Sequence, residues 1–171
     1  GLGLIFAREI ARKAEKTVIV LTGRSPLGKD RQEELKELEA SGARIIYKQA
    51  DVADSEAVAG LIQSILEQYG NLNGVIHSAG VIRDNFIIKK NRDEFLEVMA
   101  PKVPGLVNLD EASRELPLDF FVLFSSIAGC LGNPGQADYA AANAFMDAYA
   151  NYRNELVEAN KRYGLTLSIN W

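Results

Sequence analysis

One cysteine, Cys130, and one histidine, His77, are the only thiol and the only imidazole this chain has. A zinc site of the usual His/Cys type cannot be assembled from them, and an internal disulfide is excluded. No structural metal and a reducing, cytosolic compartment are therefore expected. A basic stripe is also lacking: nineteen Lys and Arg lie scattered among twenty-three Asp and Glu, for a net charge of −4. Nucleic acid is not an expected partner. Long apolar runs are missing too. Stretches such as Phe120 to Phe124 fall far short of the roughly 20 residues that cross a bilayer, and no basic segment precedes an apolar one at the start. No membrane is expected as a partner.

What is present suffices for one sizeable core. With 171 residues, 47% of them hydrophobic, the length asks for no second domain, so residues 1–171 are read as one. Leu4, Ile5, Ala7, Ile10 and Ala11 recur at helical spacing, and Thr17 to Leu21 forms a short β-branched run closed by Thr22-Gly23. A charged helix is predicted from Asp30 to Ala40, stopped by Ser41-Gly42, followed by a strand from Arg44 to Ala50. Asp54 or Ser55 can cap a helix whose apolar face is Val58, Leu61, Ile62, Ile65 and Leu66, ending near Gly70. A strand over Gly74 to His77 follows. Beyond it come a helical stretch from about 92 to 116 interrupted near Pro101 and Pro104, a strand over Phe120 to Phe124, a Gly/Pro-containing loop, a long helix from about 135 to 161 and a last strand from Leu165.

Helices thus alternate with short, continuously apolar strands. Strands of that kind are buried on both faces, which calls for an α/β fold with a doubly wound parallel sheet and helices on each side. The first residues enter a helical pattern with no strand before them, and the last break off in a strand. The expectation is a sheet whose first strand and C-terminal part are missing from the sequence, leaving exposed strand edges.

In such a fold ligands gather at the carboxyl ends of the strands. Gly1-Leu2-Gly3 opening a helix fits the remnant of a glycine-rich phosphate loop, although two glycines before a helix are also an ordinary turn. After the first strand, where an NAD-binding fold places an acid for the ribose, stands Thr22-Gly23-Arg24-Ser25. A guanidinium there, with Ser25, favours the 2′-phosphate of NADPH. Asp51-Val52 could receive the adenine amino group or cap the next helix. Ser78-Ala79-Gly80 offers a backbone without bulk for a cofactor to lie against. His77 before it reads as a buried, hydrogen-bonded imidazole.

Tyr139 and Asn143 lie one turn apart if residues 137 onward are helical, among small alanines, with Phe145, Tyr149, Tyr152 and Leu156 as the apolar side. Hydride reduction of a ketone leaves an alkoxide that needs a proton, and a phenol is a reluctant donor unless a nearby ammonium favours its anion. Ser126 can hold the carbonyl oxygen as charge develops on it.

These residues together carry a resemblance. Ser126, Tyr139 and Asn143, with Thr22-Gly23-Arg24-Ser25, His77-Ser78-Ala79-Gly80 and Asn133-Pro134-Gly135-Gln136, are similar across nearly the whole chain to the short-chain dehydrogenase/reductase superfamily, which implies a Rossmann-like sheet. Most members place Lys four residues after the Tyr and Asn on an earlier helix. Here Asn143 follows the Tyr, and Lys102 stands earlier in Ala-Pro-Lys-Val-Pro-Gly, which resembles the ketoreductase domains of modular polyketide synthases and animal-type fatty-acid synthases.

The resemblance implies a catalytic tetrad of Lys102, Ser126, Tyr139 and Asn143, with NADPH reducing a β-ketoacyl chain carried on the phosphopantetheine arm of an acyl carrier protein, beside other synthase domains. It also implies stereocontrol. An Asp in the loop after His-Ser-Ala-Gly accompanies one outcome, and a Trp eight residues before the Tyr the other. This chain has Asp84 and Leu131, with Gln136 grouped beside them, a pattern that favours the B-type alcohol; Arg83 departs from the commoner loop, and Asp84 could instead cap a helix or pair with Arg83. The rival readings are a redox-silent scaffold in the same kind of assembly and a free-standing reductase.

Overall fold

The computed structural model describes residues 2–14, 16–39 and 43–171 and divides into two compact units, Gly1–Asp51 and Val52–Trp171. In the first, helix α1 (Leu2–Lys13) leads into strand β1 (Val18–Gly23), helix α2 (Lys29–Glu39) and strand β2 (Arg44–Gln49). The two strands pair in parallel, Val18 beside Arg44 through Gly23 beside Gln49. Their small core is Ala11 of α1, Leu38 of α2, Ala43 and Ile45, with Leu4, Ile19, Leu21 and Leu35 packed against it. Parallel neighbours need a crossover, and α2 supplies it.

The second unit begins with helix α3 (Ser55–Tyr69), strand β3 (Gly74–His77), a single 3-10 turn (Ile87–Lys89), helix α4 (Arg92–Lys102) and helix α5 (Pro104–Ala112). Strand β4 (Phe120–Phe124), helix α6 (Ile127–Leu131), helix α7 (Ala137–Glu158) and strand β5 (Leu165–Ile169) complete it. Its sheet has the order β3-β4-β5, all parallel. Asp54 caps α3, its Oδ1 accepting from the amides of Glu56 at 2.9 Å and Ala57 at 3.1 Å. Asn91 and Glu94 form a reciprocal capping box at the start of α4. Pro104 opens α5 at a position where its missing N–H is no loss and so divides the long helical stretch into α4 and α5, whereas Pro101 lies inside α4.

The main core joins Val58 and Ile62 of α3, Leu106 and Leu109 of α5, Phe121 and Leu123 of β4, and Met146 and Ala150 of α7. Three features differ from expectation. The loop after β4 contains helix α6, five residues long and too short to show a periodicity. The 3-10 turn was missed for the same reason. Of the apolar side expected on α7, Phe145 and Tyr149 do pack, partly buried, against the main core, but the fully buried face lies elsewhere. It runs through Tyr139, Ala142, Asn143, Met146, Ala150 and Arg153, and Tyr152 is half exposed. Polar residues occupy that face because partners satisfy them. The terminator Ser41-Gly42 of the predicted charged helix lies outside the described residues.

Arg153 shows how. It is fully buried, donating through Nε to Asp110 Oδ1 at 2.7 Å, through Nη1 to Gly164 O and Thr166 Oγ1 at 2.8 Å each, and through Nη2 to Tyr163 O at 2.8 Å. Asp110 of α5 also accepts from Arg162 Nε at 3.1 Å and the Tyr149 hydroxyl at 2.9 Å. One carboxylate therefore ties α5, α7 and the lead-in to β5 together. Removing one partner of a buried pair strands the other charge, so Asp110→Ala is expected to lower the unfolding free energy of the full-length protein by about 3–5 kcal/mol. Denaturant titration checks this, and a loss below about 1 kcal/mol would be the value of an exposed pair instead.

Candidate active site

The site in the second unit forms where β4, α4 and α7 meet. Lys102 ends α4 and is only 3% exposed. Its Nζ donates to Phe124 O at the end of β4 at 2.8 Å, lies 3.4 Å from Met146 Sδ, and sits 5.7 Å from the centroid of the Tyr139 ring. No carboxylate forms an ion pair with it among the described residues. Burial lowers its pKa to about 8, while the charge of Asp147 opposes the fall. The lysine stem needs space, and Gly80 leaves it: a Cβ there would come within 3.3 Å of Lys102 Cε.

Tyr139 is in the first turn of α7 and packs with Val98 and Ala128, 9% exposed. One turn on, Asn143 is fully buried; its Nδ2 donates to Tyr139 O at 2.7 Å, and its Oδ1 has no partner among the described residues. Ser126 caps α6, its Oγ accepting from Ala128 N at 3.3 Å, an arrangement that leaves the O–H hydrogen for another acceptor. Helix α6 can lie close on α7 because residue 129 is glycine; a Cβ there would stand 2.9 Å from Ala144 N. Ser125, to which the sequence assigns no role of its own, donates through Oγ to Asn143 O at 3.1 Å and binds the end of β4 to α7. It sits beside Ser126, but a serine with a backbone partner leaves no periodic mark.

His77 is the buried, hydrogen-bonded imidazole expected. Its Nε2 carries the hydrogen, since its 2.9 Å partner is the carbonyl of Pro101, which only accepts. That carbonyl lies in the last turn of α4, where the helix provides no donor. His77 thus anchors the turn that presents Lys102. Burial first, then the Lys102 charge, lowers its pKa to about 4, against the Pro101 bond.

The loop after β3 meets the loop before α7. Asp84 Oδ2 accepts from Gln136 Nε2 at 2.8 Å, and Asn85 N donates to Gly135 O at 2.9 Å. Asp84 therefore neither caps a helix nor pairs with Arg83, whose guanidinium holds Glu97 of α4 through two bonds of 2.9 Å. Leu131 is 80% exposed at the end of α6. Lys90 and Asp138 form a buried ion pair beside Tyr139 that sequence reasoning also missed.

In the first unit, the loop after β1 borders a cleft lined by Gly23, Arg24, Ser25, Lys29, Arg31 and Tyr47, with Pro26 to Gly28. The Tyr47 hydroxyl donates toward Gly23 O and Ser25 O, and Gln49 Nε2 to Arg24 O at 2.8 Å, so the loop has a defined shape. Arg24 and Ser25 were expected there; Lys29 and Arg31 add two cations. Gly3 lies inside the first turn of α1, and Asp51 closes this unit. Val52 opens the second unit, where Ser78, Ala79 and Gly80 follow β3 directly. The expected Gly1 lies outside the described residues. Among the described residues no cluster of His, Cys, Asp and Glu could hold a metal, and no helix is long and apolar enough to cross a membrane.

A family model described as "KR domain" matches residues 1–171. Polyketide synthase PksN of Bacillus subtilis (strain 168) is 61% identical over the whole chain, which spans 3% of that protein's length. Among solved structures, a ketoreductase domain from the bacillaene assembly line superposes with a TM-score of 0.98 at 56% identity, covering 99% of this chain and 41% of that one. An N-terminal ketoreductase from the macrolactin assembly line gives 0.94 at 47% identity, over 99% and 34%. The alternating helices and parallel strands accordingly build a Rossmann-like α/β fold.

Stability is expected to reflect His77. Its folded pKa is lowered, so between about pH 6.5 and 4 the unfolded chain binds a proton that the folded one refuses, and stability falls as pH drops through that window. From pH 7 to 5 the loss is about 2 kcal/mol. Denaturation midpoints of the full-length protein and its His77→Gln variant at the two pH values check it; an equal pH dependence in both would refute it.

Proposed function

The chain belongs to the KR domain family of polyketide synthases, and from that premise we propose that it reduces a β-ketoacyl thioester to the β-hydroxyacyl thioester with NADPH. The observation that carries this reading is the buried ammonium of Lys102 held 5.7 Å from the centre of the Tyr139 ring, each delivered by a different helix. When bound, NADPH supplies the hydride. The chain's own residues do the rest. Ser126 donates its O–H hydrogen to the substrate carbonyl oxygen, Tyr139 delivers a proton to that oxygen as negative charge develops, and the Lys102 ammonium stabilises the phenolate left behind. Asn143 fixes the first turn of α7 through its bond to Tyr139 O.

The cofactor assignment is supported by the cations of the cleft in the first unit. Arg24, Lys29 and Arg31, with Ser25, surround a space with no carboxylate among its lining residues, a composition suited to a 2′-phosphate and hostile to nothing in it. Cofactor binding is also assigned to Gly3 and Asp51 in the first unit and, separately, to Val52, Ser78, Ala79 and Gly80 in the second, each near a helix start or strand end of its own unit, where such ligands rest. For stereochemistry we assign the B-type outcome: Asp84 is held by Gln136 next to α7, and Leu131 stands where the other type carries Trp. The acyl chain is presented by an acyl carrier protein, and the other domains of the synthase are its neighbours.

Full-length protein incubated with NADPH and a β-ketoacyl thioester should yield one enantiomer of the alcohol, identified by chiral chromatography. Tyr139→Phe and Lys102→Ala are each expected to lower kcat by about 10²–10⁴-fold with the fold retained by circular dichroism. Undiminished turnover in either variant would remove the mechanism. Arg24→Gln should narrow the preference for NADPH over NADH by raising KM for NADPH about tenfold, the share of one charge-assisted contact; an unchanged preference would move the phosphate site elsewhere.

A further inference from the structure

Lys90 and Asp138 take no part in the chemistry above. Lys90 follows the 3-10 turn Ile87–Lys89, and Asp138 is the second residue of α7. Their side chains are 3% and 1% exposed, and Lys90 Nζ donates to Asp138 Oδ2 at 2.5 Å. A buried pair tolerates desolvation only where the remaining protons and lone pairs are also engaged. Both are. Lys90 Nζ donates in addition to Arg83 O, and Asp138 Oδ1 accepts from Tyr139 N at 2.9 Å. The carboxylate also stands in the first turn of α7, where the helix favours negative charge.

A continuous path therefore runs from the carbonyl of Arg83, next to Asp84, to the amide of Tyr139. Two further contacts lie alongside, Gln136 to Asp84 and Asn85 to Gly135. The Gln136 to Asp84 contact is solvent-exposed, whereas the Lys90 to Asp138 contact is dry, where a charge pair resists rearrangement most. We propose that the Lys90–Asp138 ion pair is a positioning element that locks the Asp84 loop to the Tyr139 end of α7 and so sets which face of the ketone is presented for reduction. The proposal rests on the ketoreductase reading. Neither residue touches the reacting atoms; they act through Asp84 and Tyr139.

Asp138→Asn keeps an acceptor for Tyr139 N while removing the charge. The double variant Lys90→Met/Asp138→Asn leaves no buried charge unpaired and guards against a failure to fold. In the full-length protein, hydrogen exchange of residues 81–90 and 137–143 is compared with that of β4 and β5, and the enantiomer ratio, kcat and KM are measured on a β-ketoacyl thioester with NADPH. Expected are about tenfold or greater acceleration of exchange in 81–90 with β4 and β5 unchanged, an enantiomer ratio eroded about tenfold, and a fall in kcat larger than the rise in KM, since a misplacement of about 1 Å can cost about 100-fold. Unchanged exchange in the double variant overturns the lock. Faster exchange with unaltered enantiomer ratio and kcat overturns its role in selectivity, and acceleration spread over β4 and β5 assigns the pair to general stability instead. If the wild-type protein reduces no β-ketoacyl thioester, the ketoreductase reading falls, while the exchange data still decide whether the pair holds the loop.

Discussion

A buried ammonium that forms no ion pair among the described residues is the constraint around which the second unit is arranged. Lys102 is held by a backbone carbonyl, a thioether and the face of a phenol ring. None of these neutralises it, so the charge remains available to whatever negative charge appears nearby. Three segments must agree for that to happen. Helix α4 must end at residue 102, β4 must present the carbonyl of Phe124, and α7 must start early enough to place Tyr139 in its first turn. His77 enforces the first condition through Pro101, Gly80 leaves the room, and Ser125 joins the second condition to the third.

Polar groups elsewhere in the unit are treated differently. Around Asp110, Arg153 and Arg162 every charge meets its opposite, and α5, α7 and β5 are held by bonds that leave little unsatisfied. At the site, by contrast, Asn143 Oδ1 lacks a partner among the described residues, Lys102 lacks a counter-ion there, and Ser126 keeps a free hydrogen. Rules of satisfaction that hold in the supporting network are broken where chemistry is proposed, which is the pattern expected of a functional site on a rigid scaffold.

Much of the fold was legible in the sequence because the strands read as short apolar runs: Gly74–His77 and Phe120–Phe124 stand where the pattern puts them, although Phe120, Leu165 and Leu167 are exposed rather than buried. Tyr139 and Asn143 were legible as a pair since a helix places residues four apart on one face. Lys102 was not readable from spacing; it entered through resemblance, because the contact between α4 and α7 is tertiary. The apolar side of α7 was legible only in part, through Phe145 and Tyr149, for a related reason. Arg153 looks like a surface residue until Asp110, far away in sequence, is seen to meet it, and Lys90 with Asp138 is a second such pair. Pairing across the fold overrides the hydrophobic pattern of any one helix.

The charge on Lys102 is the central claim, and its titration can be followed directly. In full-length protein, the NMR titration of the Lys102 side chain should have a midpoint near 8, and the rate of hydride transfer from NADPH, measured in a single turnover, should fall with the same midpoint. Coincidence of the two curves is the predicted result. A lysine that titrates about a unit or more away from the fall in rate would mean that its charge is not what the proton transfer requires.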